Sequence, residues 1–232
     1  AFTYEVSKAL QVALLRKLDL PVPRTRVVSD PAELLSAAAD LEFPLLVKPN
    51  VGGSGAGIVR FENATALASA ASRPGGLDPG LDGTLLLQEY HPPRGRSIVR
   101  IETLEGRYLY AIRVHLGPGM GFDLCPADIC STPDGQVLSS SACPAGAAKS
   151  GLTVERCEPP PAIIAAAERI AAGAHLDVGG IEYLESERDG QVYFYDINAL
   201  SNFVADPLRV VGFDPTVRLV DALVARAEGR RP

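Results

Sequence analysis

Apolar residues at positions 10, 14, 15 and 18 recur at spacings of three and four, which predicts an amphipathic helix over 7–18 with Ser7 as its N-cap. Pro21 and Pro23 end it, and 25–28 reads as a short strand. The run Ser29-Asp30-Pro31-Ala32-Glu33 predicts a second helix to about residue 41, with Pro in its first turn and acids at its positive end. Strands follow at 43–49 and 58–61, separated by a glycine-rich loop, then an alanine-rich helix at 63–72 and an apolar strand at 84–90. Residues 97–103 and 107–115 form a predicted hairpin around Leu104-Glu105-Gly106. Residues 117–151 have no clear period and read as a long loop or irregular lid, a kind of segment that is often functional. Helices are expected at 161–174 and, with Pro215 in its first turn, at 214–228. This divides the chain into a helical and linker segment (1–42), a small α+β unit (43–92) and a larger unit (93–232), with Pro92-Pro93-Arg94-Gly95 as a candidate hinge.

Between the last two helices lie two runs rich in β-branched and aromatic residues, 179–184 and 194–200, around Arg188-Asp189-Gly190. A three-residue loop ending in Gly predicts a hairpin. If Glu187 pairs with Gln191, Tyr183 faces Tyr195, Ile181 faces Ile197 and Glu182 lies opposite Asp196, with Asn198 on the same face. Opposed carboxylates repel across a strand pair, and a shared hard cation reverses the sign. The alternative is a solvated hairpin with ordinary exposed acids.

The composition is that of a soluble globular chain of 232 residues: 47% hydrophobic, 22% charged, net charge -6. That acidity gives no footprint for nucleic acid or an anionic membrane, and no apolar run is long enough to span one. A cytoplasmic protein is expected, and the absence of an initial Met points to a processed form or a piece of something longer. Cys125, Cys130, Cys143 and Cys157 lack a Cys-x-x-Cys pair and read as reduced thiols. His91, His115 and His175 have no spacing that forms a ligand set, and no Gly-x-Ser-x-Gly elbow is present.

Lys48 closes an apolar strand, where an ammonium is costly to bury without an anion. Directly after it, Gly53, Ser54, Gly55 and Gly57 belong to a loop whose backbone can approach phosphates closely, or which is simply a tight turn. It lacks Walker A and Rossmann spacing, and a strand follows it, so the loop reads as a flap between strands. The apolar strand ending in Gln88, Glu89 and Tyr90 suits the edge of a flat heterocycle read by main-chain groups, or is the polar end of a core strand.

Taken in order from Ser7 to Asn202, these pieces resemble the ATP-grasp superfamily, particularly its carboxylate–amine ligases. The resemblance implies an α+β ATP-grasp fold in which two α/β subdomains sandwich ATP. It implies phosphate contacts from Lys8 and Lys48 under the glycine flap, adenine recognition by the Gln88-Glu89-Tyr90 strand, and Mg²⁺ or Mn²⁺ held by Glu182, Asp196 and Asn198. Asp196 stands where the family usually has Glu, one methylene longer. The family also carries an N-terminal domain before the Lys8 helix, most of which this chain lacks, so a further domain or partner subunit is expected to complete the acceptor site.

The implied reaction is ATP-dependent phosphorylation of a small-molecule or peptide carboxylate, followed by attack of an amine on the acyl phosphate. Arg113, with Arg100 assisting, is assigned to the developing acyl phosphate; the alternative for both is an ion pair on a strand face. Two other readings stay open. One is a non-catalytic ATP-binding module or fragment of a larger synthetase, and the other is kinase-like transfer to a non-carboxylate acceptor.

Overall fold

The computed structural model describes residues 1–53, 55–73, 75–117 and 153–230. Two antiparallel sheets organise them. The first contains β1 (Thr25–Val28), β2 (Leu45–Pro49), β3 (Val59–Phe61) and β4 (Leu85–Glu89), in the order β1-β4-β2-β3. β1, from the segment assigned to 1–42, is therefore a strand of the small sheet, with Thr25 opposite Gln88. Alternation along β2 and β4 sends Leu45, Val47, Leu85 and Leu87 to one face. There they pack with Leu34 and Ala38 of α3 (Leu34–Ala38) and Leu67 of α4 (Ala64–Ala71). The opposite face presents Leu46, Lys48 and Gln88. The helix expected over 30–41 is a turn of 3₁₀ helix, Pro31–Glu33, capped by Asp30 and running into α3.

The second sheet contains β5 (Ser97–Leu104), β6 (Arg107–His115), β7 (Thr153–Cys157), β8 (Val178–Glu185) and β9 (Val192–Asn198), in the order β7-β6-β5-β8-β9. β5 and β6 join through Glu105-Gly106, both at positive φ, which suits the twist of a two-residue hairpin. β7 has no counterpart among the predicted elements. Residues 118–151 of the expected lid lie outside the described residues, as do Cys125, Cys130, Cys143 and Ser54.

The back of this sheet is apolar. Val99, Ile101, Ala111, Ile181, Phe194 and Ile197 meet Ala167, Ile170 and Ala171 of α5 (Pro161–Ala174) and Leu14 and Leu15 of α2 (Lys8–Lys17). α2 is capped by Ser7 as its sequence requires. Gln11 sits within its inward stripe and is 2% exposed. Its side-chain amide exchanges two hydrogen bonds with the backbone of Ile197, at 2.8 and 3.0 Å, fixing the helix on β9. On the front, Ile98, Tyr110 and Ile112 pack with Phe203 and Val204, and with Val210 of α6 (Pro207–Val210). The last helix, α7 (Pro215–Ala227), is capped by Asp214. No helix among the described residues is long and apolar enough to cross a membrane.

Candidate active site

A cavity of about 560 Å³ lies between the free face of the small sheet and the front of the large one. Lys8, Lys48, Gly53, Gly55, Gln88, Glu89, Tyr90, Arg100, Glu182, Asp196 and Asn198 all line it. Gly57 does not line it but shapes the loop, with φ +74° and its Cα packed so closely on Pro49 that a Cβ would stand 3.1 Å from that ring.

The β8–β9 register brings the acids together by a different route from the one expected. Ser186 N donates to Gln191 O, so the pairing next to the turn runs one residue out of step with a Glu187–Gln191 pair. A β-bulge between Glu182 and Tyr183 restores the step: Tyr183 pairs with Phe194, whereas Glu182 pairs with Asp196 and Ile181 with Ile197. The inserted residue is Tyr195. Simple alternation would put it opposite Tyr183 on the back face; the bulge turns it to the front, where its hydroxyl donates to Glu182 Oε2 at 2.9 Å.

Glu182 is buried and doubly held. Arg100 Nη1 donates to Oε1 at 3.0 Å, opposite the Tyr195 bond on Oε2. Burial, with Asp196 facing it, pushes the Glu182 carboxyl above its ordinary range, while Arg100 and the Tyr195 hydroxyl oppose that shift. Arg100 is itself buried, with Nε on Glu102 Oε1 at 2.6 Å and Nη2 on Ser201 Oγ at 3.3 Å. Its guanidinium lies flat over Gly180, where a Cβ would stand 2.2 Å from Nη2. Glu102 is fully buried, and its Oε2 has no hydrogen-bond partner among the described residues. Asn198 Nδ2 donates to Asp196 Oδ2 at 3.1 Å, leaving Asn198 Oδ1 as an acceptor.

Facing these acids from the small sheet, Lys48 Nζ donates to Gln88 Oε1 at 2.6 Å. Burial lowers its pKa to about 8, only partly offset by Asp196 and Glu182, with Lys8 adding to the depression. Lys8 Nζ donates to Gly52 O at 2.6 Å and stands 3.8 Å from Asp196 Oδ1. Asn50, directly after β2, positions that lysine: its Oδ1 accepts from Ala9 N at 2.8 Å and its carbonyl from Lys8 N at 3.2 Å. The start of α2 is thereby tied to the glycine loop.

One expected site residue lies away from the others. Arg113 is not part of the cavity lining. It pairs with Val99, whereas Arg100 pairs with Ile112 and Glu182, so strand alternation puts the two arginines on opposite faces. Arg113 bonds Ser97 Oγ at 3.3 Å and lies 3.8 Å from Glu155, the strand-face ion pair that was its alternative. At the end of β4, where main-chain groups are expected to face a heterocycle, the Glu89 and Tyr90 N–H groups donate to Arg24 O and Pro44 O, both at 2.9 Å. The Glu89 carboxylate is likewise engaged, accepting from Glu42 N at 2.9 Å and from Arg24 at 3.3 Å. Both residues still line the cavity.

Sequence reading missed Gln11, Asn50, Glu102 and Tyr195. Gln11 was detectable as a polar residue inside the apolar stripe of α2, and Glu102 as the second of two charges spaced by two on an otherwise apolar strand. Tyr195 carried no local signal, because a bulge placed it.

The donor set fits a hard divalent cation in kind: two carboxylates and one amide oxygen on adjacent strands, with burial and the facing Asp196 both disfavouring the bare charge on Glu182. Among the described residues no group of three or more His, Cys, Asp or Glu gathers, so the set rests on two acids and an amide.

No protein-family profile matches the chain. A D-alanine–D-alanine ligase of Laribacter hongkongensis (strain HLHK9) is 35% identical over 95 residues, which are 41% of this chain and 29% of that protein. One from Ectopseudomonas mendocina (strain ymp) is 45% identical over 53 residues, 23% of this chain and 17% of that protein. Among solved structures, the ATP-grasp ligase PsnB complexed with minimal precursor matches with TM-score 0.65 and 22% identity, covering 96% of this chain and 61% of that one. D-cycloserine synthetase DcsG matches with TM-score 0.67 and 18% identity, covering 97% of this chain and 71% of that one. The matches thus cover less than a third of these curated relatives and about three-fifths of PsnB.

Proposed function

The chain has the ATP-grasp fold, and on that premise we propose that it binds ATP and a divalent cation and supports the joining of a carboxylate to an amine through an acyl phosphate. The observation that carries this reading is the convergence of Lys8 and Lys48 from one side and Glu182, Asp196 and Asn198 from the other on a single cavity. Two cations facing two opposed acids make a site for a triphosphate and its counter-ion. In phosphoryl transfer such positioning and charge neutralisation account for most of the catalysis.

In this reading Lys8 and Lys48 hold phosphate oxygens, and the loop containing Gly53, Gly55 and Gly57 covers them. Glu182, Asp196 and Asn198 would hold Mg²⁺ or Mn²⁺, which when bound supplies charge neutralisation at the phosphates. Arg100 orients Glu182 and, through the cavity, faces the reacting carboxylate; Arg113 drops out because it lies on the other side of the sheet. The carboxylate oxygen attacks the γ-phosphorus as the bond to ADP breaks, and the amine then displaces phosphate from the acyl carbon. The acids and amines of the related ligases, small molecules and peptides, are the substrate classes we propose. The units 43–92 and 93–232 are proposed as the two lobes that close on ATP.

The test is ADP release from Mg²⁺-ATP in the presence of a mixed pool of amino acids and small carboxylic acids. Release that requires the pool and is lost in Asp196→Ala is the expected result. Hydroxylamine added to the same reaction should give a hydroxamate; ADP formation without hydroxamate would replace the ligase reading by transfer to a non-carboxylate acceptor.

A further inference from the structure

Lys48 is held on its own sheet by a buried chain of hydrogen bonds that runs through β4 to β1. Lys48 Nζ donates to Gln88 Oε1 at 2.6 Å, Gln88 Nε2 donates to Thr25 Oγ1 at 2.9 Å, and Thr25 Oγ1 donates to Pro23 O at 2.8 Å. The β1–β4 register makes the chain possible, because it sets Thr25 directly opposite Gln88. Thr25, Gln88 and Lys48 are all buried. The bonds can run in one sense only. A carbonyl oxygen can only accept, so Pro23 O claims the single Thr25 proton and the hydroxyl is left with lone pairs, which the Gln88 amide must meet with its nitrogen. Gln88 Oε1 then faces the ammonium, and among the described residues it is the only hydrogen-bond acceptor of Lys48.

We propose that Thr25, which does not line the cavity, is a positioning residue for nucleotide binding: it fixes the Gln88 amide, and the amide holds the Lys48 ammonium on the small sheet with its remaining N–H groups available to phosphate oxygens. This rests on the reading of Lys48 as a phosphate contact. A neutral acceptor suits the task, since a carboxylate bonded to the ammonium would compete with the phosphate for it. Glu182 and Asp196 stand on the other side of the same cavity. Without the Thr25 hydroxyl the Gln88 amide loses a buried partner, is free to turn, and releases the ammonium toward those acids. A phosphate then has to displace an ion pair and order the lysine, and both cost affinity.

The experiment is calorimetric titration with Mg²⁺-ADP of the unaltered chain, Thr25→Val, Thr25→Ser, Lys48→Met, and Thr25→Val combined with Lys48→Met. Val keeps the shape of Thr without its hydroxyl, and Ser keeps the hydroxyl. The expected result is weaker binding in Lys48→Met and in Thr25→Val, the latter on the order of tenfold, the size of one hydrogen bond to a charged group. Thr25→Ser should bind as the unaltered chain does, and Thr25→Val should add nothing once Lys48 is gone. Equal weakening by Thr25→Val with and without Lys48 would mean that it acts through the sheet at large, and overturns the positioning role. Unchanged affinity in Thr25→Val, with Lys48→Met weakened, overturns it too; both outcomes leave the nucleotide site standing. Failure of the unaltered chain to bind Mg²⁺-ADP, or unchanged affinity in Lys48→Met, overturns the phosphate reading of Lys48 and this inference with it. Thr25→Ala removes the same hydroxyl and serves as the readout if Thr25→Val does not fold, as judged by circular dichroism.

Discussion

The two faces of the five-stranded sheet are held by opposite means. The back is built from Ala166, Ala167, Ile170 and Ala171 of α5 against Ile101, Ala111 and Ile181, and small side chains let helix and sheet approach closely. The front, beside its apolar cluster, also buries charge: Glu102, Arg100 and Glu182 stand in one row across β5 and β8, each nearly inaccessible. The same strands supply both faces, so backbone propensity is not what separates them. The difference teaches that the back is specified by shape, which tolerates exchange of like for like, and the front by partner count, in which each group depends on the next.

Breaking the front should therefore have the largest effect. Arg100→Met removes the cation that pairs with two buried carboxylates, Glu102 at 2.6 Å and Glu182 at 3.0 Å, and leaves both without that partner. Removing one partner of a buried ion pair typically costs about 3–5 kcal/mol. The expected outcome is a loss of that order in urea unfolding at pH 7, recovered in part by the additional change Glu102→Gln. Absence of such recovery would mean that the row does not act as a unit.

The back should respond less, and without any dependence on charge. Ala171 is fully buried against the sheet, and Ala171→Leu inserts three carbons where no room exists. Overpacking of this kind costs about 1–3 kcal/mol. The same substitution should leave Mn²⁺ binding with ADP unchanged, since α5 contributes nothing to the cavity lining. A metal-binding defect would show that the two faces are coupled through the sheet.

The contrast also marks what could be read in advance. Helix α5 and the strands behind it follow from periodicity, because burying an apolar stripe is a local requirement repeated at every turn. The opposition of Glu182 and Asp196 was expected from a hairpin register that holds at these residues but not beside the turn. Arg113 was expected on the face of Arg100 and lies on the other, because the β5–β6 pairing shifts at a bulge between Glu102 and Thr103 that periodicity does not reveal. Tyr195 was not legible at all: one inserted residue inverts the side chain, and the pairing near the turn shifted by the compensating amount, so the acids met although the path between them differed. Lys48 was legible for a physical reason, since an ammonium in an apolar strand needs an explanation that an exposed lysine does not.

That lysine, across the cavity from the front, gives the smallest effect. Its pKa is lowered from 10.5 to about 8, chiefly by burial. A lysine depressed in the folded state binds fewer protons there than in the unfolded chain between those two values, so stability rises with pH across that window. Between pH 8 and 9 the gain amounts to about 1 kcal/mol. In Lys48→Met this rise over the interval should disappear, which isolates the lysine's contribution. Saturating ADP should also flatten the slope, because a phosphate beside Lys48 stabilises the ammonium and carries its pKa back toward 10.5. Denaturant midpoints at pH 7, 8 and 9, with and without ADP, measure both; a slope that persists with ADP bound would place the phosphates away from Lys48.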